Sequence, residues 1–351
     1  MTVTRRKRVL LVLVLALPVM VWVVPGLRAR AKAVAVLADA SALPFPRPFA
    51  RDVEVETTEV APGVVGDLYS GERDAPVMLF VPGATPKGSQ DARVIEAATA
   101  IARAGRRVFV PELDLYDRTF STDDIERLVS AMVGLSGDSR VGVLGFSYGG
   151  SLALIAAQDS RTRSRVAYVA TFGAYFDLVH VLQGVTTGST VLDGDEVAFE
   201  TVPEARDILI DATVELASGR YADEIVRALD GDDPNELPEG PQSLVELLSN
   251  RDPQRIDELV AQLPPAFRTL LERFSPSTAI HELEAPVLVL QSKKDVATPW
   301  TEAELLHRSA EGSRLMMLDH FSHVDPPGPV GWLNDGPRAW RWLSWVLAEQ
   351  E

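Results

Sequence analysis

Short apolar segments alternate with amphipathic segments along most of the chain from residue 77 onward. The apolar segments predict strands, and the amphipathic ones show helical spacing. Strands separated by helices of 10–15 residues form a mainly parallel sheet that is covered by helices on both faces. Strands are predicted at 77–81, 107–110, 141–144, 166–171, 286–291 and 315–318, and helices at 90–104, 148–158, 301–311, 336–349 and from residue 122 onward. The alternation therefore predicts an α/β fold.

The alternation stops between residues 178 and 283. Five amphipathic stretches replace it, and no strand is predicted there. These stretches lie at 203–218, 221–229, 241–249, 254–262 and 266–274. We interpret 178–283 as a helical lid, inserted after the strand at 166–171 (the sixth strand in the numbering of the family named below) and lying over the carboxyl edge of the sheet.

The lid is also the acidic part of the molecule. Residues 177–284 carry 23 acidic and 7 basic side chains, and the rest of the chain carries 27 of each. The net charge of the 351 residues, −16, therefore belongs to this segment. An acidic protein of this kind is not expected to bind nucleic acid, because phosphate backbones need a basic surface. The acidic segment should likewise be repelled by anionic lipid headgroups.

The absence of cysteine limits the possible chemistry. Without cysteine there is no disulfide, no thiolate metal ligand, no cysteine nucleophile and no lipid-modified cysteine anchor. A composition that is 46% apolar still gives the chain enough side chains for a large core.

The N-terminus predicts a membrane anchor. Four basic residues at 5–8 precede an unbroken apolar run at 9–27, and a helix of that length nearly crosses a hydrocarbon core. The basic cluster favours a single-pass anchor with a cytoplasmic N-terminus and the body of the protein outside the cytoplasm. The alternative is a secreted protein, because small residues at 29–31 and 40–42 could form a signal-cleavage site.

Ser147 lies in the segment that carries the most chemistry. Gly145-Phe146-Ser147-Tyr148-Gly149 has the pattern G-x-S-x-G, and it closes a predicted strand and opens a predicted helix. Such a turn is tight enough to require small flanking residues, and it lifts the serine hydroxyl above the sheet. The other interpretation is an ordinary strand–loop–helix junction that happens to contain a serine.

This segment resembles the nucleophile elbow of the α/β-hydrolase superfamily, which includes serine esterases and lipases. The resemblance covers residues 64–351 and implies the α/β-hydrolase fold. The chain then divides into a basic N-terminus with the anchor (1–32), a linker (33–63), the core (64–177 and 284–351) and the lid (178–283). The family order of catalytic groups is serine, then an acid, then histidine.

The resemblance implies a base after the last strand and an acid after the strand at 286–291. Two histidines follow the last strand, and His323 is preferred to His320 because the family places its base several residues beyond the strand. Asp295 is the preferred acid, since it precedes a short apolar-proline turn as in the family's acid loop. Asp177 is the alternative acid, because some members carry the acid after the sixth strand. Each aspartate could instead be a helix cap or turn residue.

The oxyanion hole of such an enzyme needs two backbone N–H groups. The resemblance assigns one to Tyr148, directly after the nucleophile. The second should follow the strand at 77–81, where Pro82 stands in place of the family's histidine, and it falls on Ala84 or on Thr85. The other interpretation of Pro82-Gly83 is an ordinary tight turn after a strand, which would have the same sequence.

These observations predict a membrane-tethered serine hydrolase that cleaves a carboxylic ester through a Ser147–His323–Asp295 triad and an acyl-enzyme, with a lipid-like ester as one candidate substrate. No cofactor and no metal are expected. His320, His323 and Asp325 could bind zinc, but the serine elbow would then be a coincidence. The alternatives are a non-catalytic binding module of the same fold, or a peptidase or acyltransferase.

Overall fold

A computed structural model describes residues 25–40, 52–85, 87–117, 119–218, 221–325 and 328–349. Within these ranges it contains ten strands and twelve α-helices. The strands are β1 (Glu54–Ala61), β2 (Val64–Ser70), β3 (Val77–Val81), β4 (Arg107–Pro111), β5 (Val141–Phe146), β6 (Val166–Phe172), β7 (Ser189–Leu192), β8 (Asp195–Ala198), β9 (Val287–Ser292) and β10 (Arg314–Leu318). The helices are α1 (Pro25–Ala40), α2 (Ala92–Arg103), α3 (Thr122–Ser136), α4 (Ser147–Gln158), α5 (Leu178–Thr187), α6 (Pro203–Ser218), α7 (Ala222–Asp230), α8 (Glu239–Ser249), α9 (Ile256–Gln262), α10 (Pro265–Arg273), α11 (Trp300–Ser309) and α12 (Pro329–Ala348).

Eight strands form one sheet in the order β1-β2-β4-β3-β5-β6-β9-β10. From β4 to β10 all neighbours are parallel, while β2 runs antiparallel to both β1 and β4. Helices cover both faces of the sheet, so the parallel strands are mostly buried, except for β10 at the edge, which is only partly buried. The predicted α/β-hydrolase fold, with a mainly parallel sheet and helices on both sides, is confirmed.

The two faces of the sheet carry separate apolar cores. One core joins the sheet to α3, α4, α11 and the inserted segment, through side chains such as Leu128, Leu152 and Leu306. The other joins it to α1, α2 and α12, through side chains such as Ala33, Ile101 and Trp342. The carboxyl ends of β3, β5, β6, β9 and β10 all lie at one edge, so the loops after these strands meet there.

The N-terminal third of the sequence contains more structure than the pattern predicted. Most of the predicted anchor, residues 9–24, lies outside the described residues. The described chain opens with α1, which packs on α12 and α2, and the indole N–H of Trp340 donates to the carbonyl of Arg30 at 2.9 Å. The segment predicted as a linker contains the end of α1 and also β1, which pairs with β2. None of the helices in the described ranges is both long and apolar enough to cross a bilayer.

The inserted segment leaves the sheet after β6 and returns at β9. It contains α5 to α10, and also a hairpin of β7 and β8 around Asp193 and Gly194. The prediction that no strand occurs between 178 and 283 is therefore wrong. The hairpin was missed because its strands have only four residues each and bury little apolar surface.

Candidate active site

Ser147 occupies a strained turn between β5 and α4. Its φ is +51°, in the left-handed region that non-glycine residues rarely adopt. A Cβ at Gly145 would lie 2.4 Å from the Cα of Gly150, and a Cβ at Gly149 would lie 2.0 Å from the carbonyl oxygen of Pro82. Only glycine fits at both positions, so the small residues of the motif allow the turn to close. The strain is typical of a residue that is held for function.

The loop after β3 lies directly against this turn. A Cβ at Gly83 would come within 2.8 Å of the Ser147 Cβ, so the backbone at 83–84 passes beside the serine. Tyr148 is in the first turn of α4, where backbone N–H groups have no acceptor within the helix. The Thr85 hydroxyl donates to Asp91 Oδ2 at 2.8 Å, and Asp91 in turn caps α2. The loop that carries Ala84 thus begins beside the serine turn, and the Thr85 side chain is engaged with the N-cap of α2.

His323 and Asp295 are in contact across two loops at the same edge. Nδ1 of His323 lies 2.9 Å from Oδ1 and 2.8 Å from Oδ2 of Asp295. The Asp295 side chain is completely buried, and the His323 side chain keeps 16% of its surface exposed. Oδ1 of Asp295 also accepts the backbone N–H groups of Ala297 and Thr298, at 2.9 and 2.8 Å. The imidazole therefore meets a fixed buried carboxylate at Nδ1, and it keeps a small part of its surface exposed.

Electrostatics favour the protonated form of this histidine. Burial alone would lower the pKa of His323, but the charge and hydrogen bond of Asp295, aided by Asp325, outweigh burial. The pKa of His323 is therefore raised above its ordinary value of 6.5. A base with a buried carboxylate behind it can take a proton and remain stable as the imidazolium.

Gly173 connects the histidine pair to the serine turn. It follows β6 with a φ of +70°, and Phe172 pairs with Phe146, the residue before Ser147. A Cβ at Gly173 would lie 2.9 Å from His323 Cε1 and 3.4 Å from Asp295 Oδ2. His323 itself has a φ of +59°. The ring thus lies over the strand end next to the serine. The sequence analysis missed Gly173, although a glycine directly after a buried strand is a sign of close approach.

The two alternative residues have other partners. His320 lies with Nδ1 3.5 Å from Asp335 Oδ2, and its backbone N–H donates to the same oxygen at 2.7 Å. Asp177 accepts the N–H of Val179 at 2.9 Å as the N-cap of α5, and it accepts the Ser277 hydroxyl at 2.7 Å. Neither is placed beside the serine turn by these contacts. Among the described residues no group of three or more His, Asp or Glu is arranged to hold a metal ion.

An aromatic cluster joins the serine turn to the inserted segment. The ring of Tyr148 packs edge-on against Phe120 and Tyr175, with centroids 5.5 and 5.7 Å apart. Phe120 also contacts Phe274 at the end of α10, whose carbonyl accepts the Tyr175 hydroxyl at 2.8 Å. Next to Phe120 a cleft of about 510 Å³ opens between the loop before α3 and the insertion. It is lined by Asp114, Thr119, Phe120, Ser121, Thr122, Glu215, Leu216 and Leu270.

Comparison with known proteins identifies the family. The family model for the alpha/beta hydrolase fold matches residues 76–326. Similar solved structures include an esterase from Pyrococcus furiosus, 14% identical over 87% of this chain and 92% of that chain with a TM-score of 0.45. Another is a meta-cleavage product hydrolase from Pseudomonas fluorescens, 15% identical over 85% and 99%, with a TM-score of 0.46. A search of curated proteins finds no match. Because the family model covers well over half of the 351 residues, and the sheet order is β1-β2-β4-β3-β5-β6-β9-β10, this chain belongs to the α/β-hydrolase fold family.

Proposed function

We propose that this protein is a serine hydrolase in which Ser147 is the nucleophile, His323 the general base and Asp295 the orienting acid. The observation that carries the proposal is the buried Asp295–His323 pair, which lies over the strand end next to the strained serine turn. A serine hydroxyl is a weak nucleophile and needs such a base, and the base needs a fixed tautomer. We prefer this function to a binding module because the serine turn, a histidine and an orienting carboxylate are all present, and the histidine ring lies over the strand end next to the serine.

In the proposed reaction the Ser147 oxygen attacks the ester carbonyl carbon while its proton passes to Nε2 of His323. The resulting oxyanion is stabilised by the backbone N–H groups of Tyr148 and Ala84. The carbon–oxygen bond to the leaving group then breaks, and the leaving alcohol takes the proton from His323. A water molecule, deprotonated by the same histidine, attacks the acyl-enzyme and releases the acid, and the proton returns to Ser147.

The surroundings of the serine turn support an apolar acyl group as substrate. The apolar lining of the cleft comes from Phe120, whose ring packs against Tyr148, and from Leu216 and Leu270 of the insertion, while the other lining residues are polar or charged. Apolar side chains in a cleft near a reactive group can hold the apolar part of a small ligand. We therefore propose a carboxylic ester with an apolar acyl chain as the substrate class, with the insertion acting as a lid.

We also propose that residues 9–27 tether the hydrolase to a membrane, with the catalytic part outside the cytoplasm. The support is the unbroken apolar run after four basic residues. A tethered enzyme would meet lipid-like esters at the bilayer surface, which agrees with the proposed substrate class.

The proposal is tested by hydrolysis of p-nitrophenyl esters graded from acetyl to palmitoyl. We expect turnover by the wild-type protein, with the highest kcat/KM for a medium or long acyl chain. The Ser147→Ala variant should lose at least about 10³-fold in kcat/KM, as removal of a triad nucleophile does. Ser139→Ala, at an exposed serine before β5, is the matched control and should be unchanged. Equal rates for the wild-type protein and Ser147→Ala would contradict the proposal.

A further inference from the structure

Gln291 supplies a side-chain donor to the Asp295 carboxylate. It is fully buried in β9, one residue before the strand ends. Its Nε2 lies 3.0 Å from Asp295 Oδ2 and 3.1 Å from the carbonyl oxygen of Thr298. Since both neighbours can only accept, the amide nitrogen and not the oxygen must face them. This orientation of the Gln291 amide is therefore fixed by its surroundings.

The rest of the Gln291 side chain is not optimised for stability. Its amide oxygen is buried without a hydrogen-bond partner among the described residues, and a buried unpaired acceptor is costly. Val287 and Val289, the preceding residues of β9 on the same face, are buried and apolar. An apolar side chain would therefore suit position 291 better if packing were its only role. An apolar residue would lack the donor that faces Asp295 and the carbonyl oxygen of Thr298.

The two oxygens of Asp295 are held in different ways. Oδ1 is fixed by two backbone N–H groups of its own loop. Oδ2 accepts from the Gln291 amide and from the His323 ring. The histidine cannot serve as a fixed anchor for Oδ2, because in the proposed triad the carboxylate orients the histidine. Gln291 thus holds Oδ2 independently of the histidine, and it adds to the restraint that the backbone N–H groups at Oδ1 place on the carboxylate plane.

We propose that Gln291 is a positioning residue of this site, whose amide N–H donates to Asp295 Oδ2 and so fixes the carboxylate that orients His323. The inference rests on the proposed function, because it assigns Gln291 a role in the same triad. Gln291 does not touch the substrate, and it acts only through Asp295.

The pH dependence of the histidine provides a readout that a purely structural role would not change. The described charged or titratable groups around the pair are Asp325 on the His323 loop, Arg93 of α2, which pairs with Asp325 at 3.5 Å, and Tyr148 of α4. None of these is altered by a substitution at position 291. A change in the titration of His323 would therefore report the position of the Asp295 carboxylate.

The experiment measures the rate of labelling by a fluorophosphonate probe as a function of pH. The wild-type rate should rise with pH, because only the neutral imidazole accepts the serine proton. Gln291→Met keeps the volume but removes the donor, and we expect labelling about 10–100-fold slower, since small displacements of catalytic groups cost that much. Its midpoint should fall by roughly half a pH unit, because a carboxylate that turns away stabilises the imidazolium less.

Gln291→Glu tests the donor more directly. Two carboxyls that share a site cannot both ionise easily, so the new carboxyl should keep its proton at low pH and donate to Asp295. At about pH 6 we expect at least a third of the wild-type labelling rate, and as the pH rises the variant should lose rate relative to the wild type. This variant has the shape of glutamine, so it serves even if the methionine variant does not fold.

Thr171→Val is the matched control. The Thr171 hydroxyl is also fully buried, on the neighbouring β6, and it has no hydrogen-bond partner among the residues described. Its removal should leave both rate and midpoint as in the wild type. The proposal would be overturned if Gln291→Met kept the wild-type midpoint and rate, or if the Gln291→Glu ratio did not change with pH. Failure of the wild-type protein to label at any pH would instead refute the serine hydrolase itself.

Discussion

Asp295 and Asp177 show how one residue type plays different parts in this fold. Both follow strands near the same edge of the sheet, and both accept backbone N–H groups. Only Asp295 also faces an imidazole, whereas Asp177 has a helix N-terminus and a serine hydroxyl as partners. From the sequence both were candidate acids, because each lies between Ser147 and His323 in the chain and each follows a predicted strand. Their side-chain partners lie far away in sequence, so local pattern could not distinguish them.

Replacing each aspartate by asparagine separates the two roles. Asp295→Asn should lower kcat about 10⁴-fold, because an amide favours the wrong histidine tautomer. Asp177→Asn should keep activity within about threefold, since asparagine caps a helix as well as aspartate does. Steady-state hydrolysis of a soluble ester measures both. A larger loss for Asp177→Asn than for Asp295→Asn would reverse the assignment.

At the scale of elements, glycines set how closely the loops approach one another. Gly173 lets the His323 ring lie over the end of β6, and Gly194 forms the turn between β7 and β8. Both have positive φ, at +70° and +86°, so alanine is strained at either position. Only at Gly173 would a Cβ also meet another side chain, since around Gly194 there is nothing within 4 Å.

Alanine substitutions at these two glycines should both lower stability, but only one of them should lower activity. Gly194→Ala should cost about 1–2 kcal/mol of unfolding free energy through its backbone strain and leave activity unchanged. Gly173→Ala should suffer a similar loss of stability and also displace His323, with a fall of about 100-fold in kcat. Chemical denaturation and ester hydrolysis on the same samples test this. Full activity in Gly173→Ala would contradict the placement of the His323 ring.

The junction between β6 and the insertion depends on a buried carboxylate. Glu302 of α11 is fully buried, and its Oε2 accepts the N–H groups of Phe176 and Asp177 at 3.0 and 2.7 Å. Its Oε1 lies 3.4 Å from Nδ1 of His180 on α5. The hydrogen bond and charge of this carboxylate raise the pKa of His180 to about 9, although the partial burial of the histidine acts to lower it.

This histidine should stabilise the junction in a pH-dependent way. A raised pKa in the folded state means that the stabilisation is complete below the ordinary value of 6.5 and disappears as the pH rises through about 9. His180→Gln should therefore have a lower Tm than the wild type at about pH 6 and the same Tm at about pH 10. His281→Gln, at an exposed histidine 3.6 Å from Glu282, is the control and should leave the Tm unchanged at both pH values. A Tm difference that did not depend on pH would contradict this account.

For the whole molecule, the sequence was most informative where burial is regular. The parallel strands could be predicted because continuous apolar runs reflect burial on both faces. β1 could not be predicted, because six of its eight residues are polar or exposed and the strand therefore contains no continuous apolar run. The β7–β8 hairpin did have a signal, since Asp193-Gly194 is a favoured turn dipeptide. Gln291 and the Glu302–His180 pair had none, because their roles come from contacts between elements.

The helix α1 includes residues that the sequence analysis assigned to the anchor segment at 1–32. In α1 the side chains of Ala29, Ala33 and Val36 are buried against the second core. A variant that begins at residue 25 should keep the wild-type Tm and lose the proposed membrane attachment. A variant that begins at residue 41 should have a Tm lower by about 5 °C or more, because it also loses this packing. Differential scanning calorimetry and membrane sedimentation measure the two effects, and equal Tm values for both variants would contradict the role of α1.

The central claim is that Ser147 is a nucleophile activated by His323. The most direct measurement is mass spectrometry of the intact protein and of its peptides after reaction with a fluorophosphonate probe. The account predicts a single adduct on Ser147 in the wild-type protein and no adduct in Ser147→Ala or His323→Ala. An unmodified wild-type protein, or an adduct on any other residue, would contradict the account.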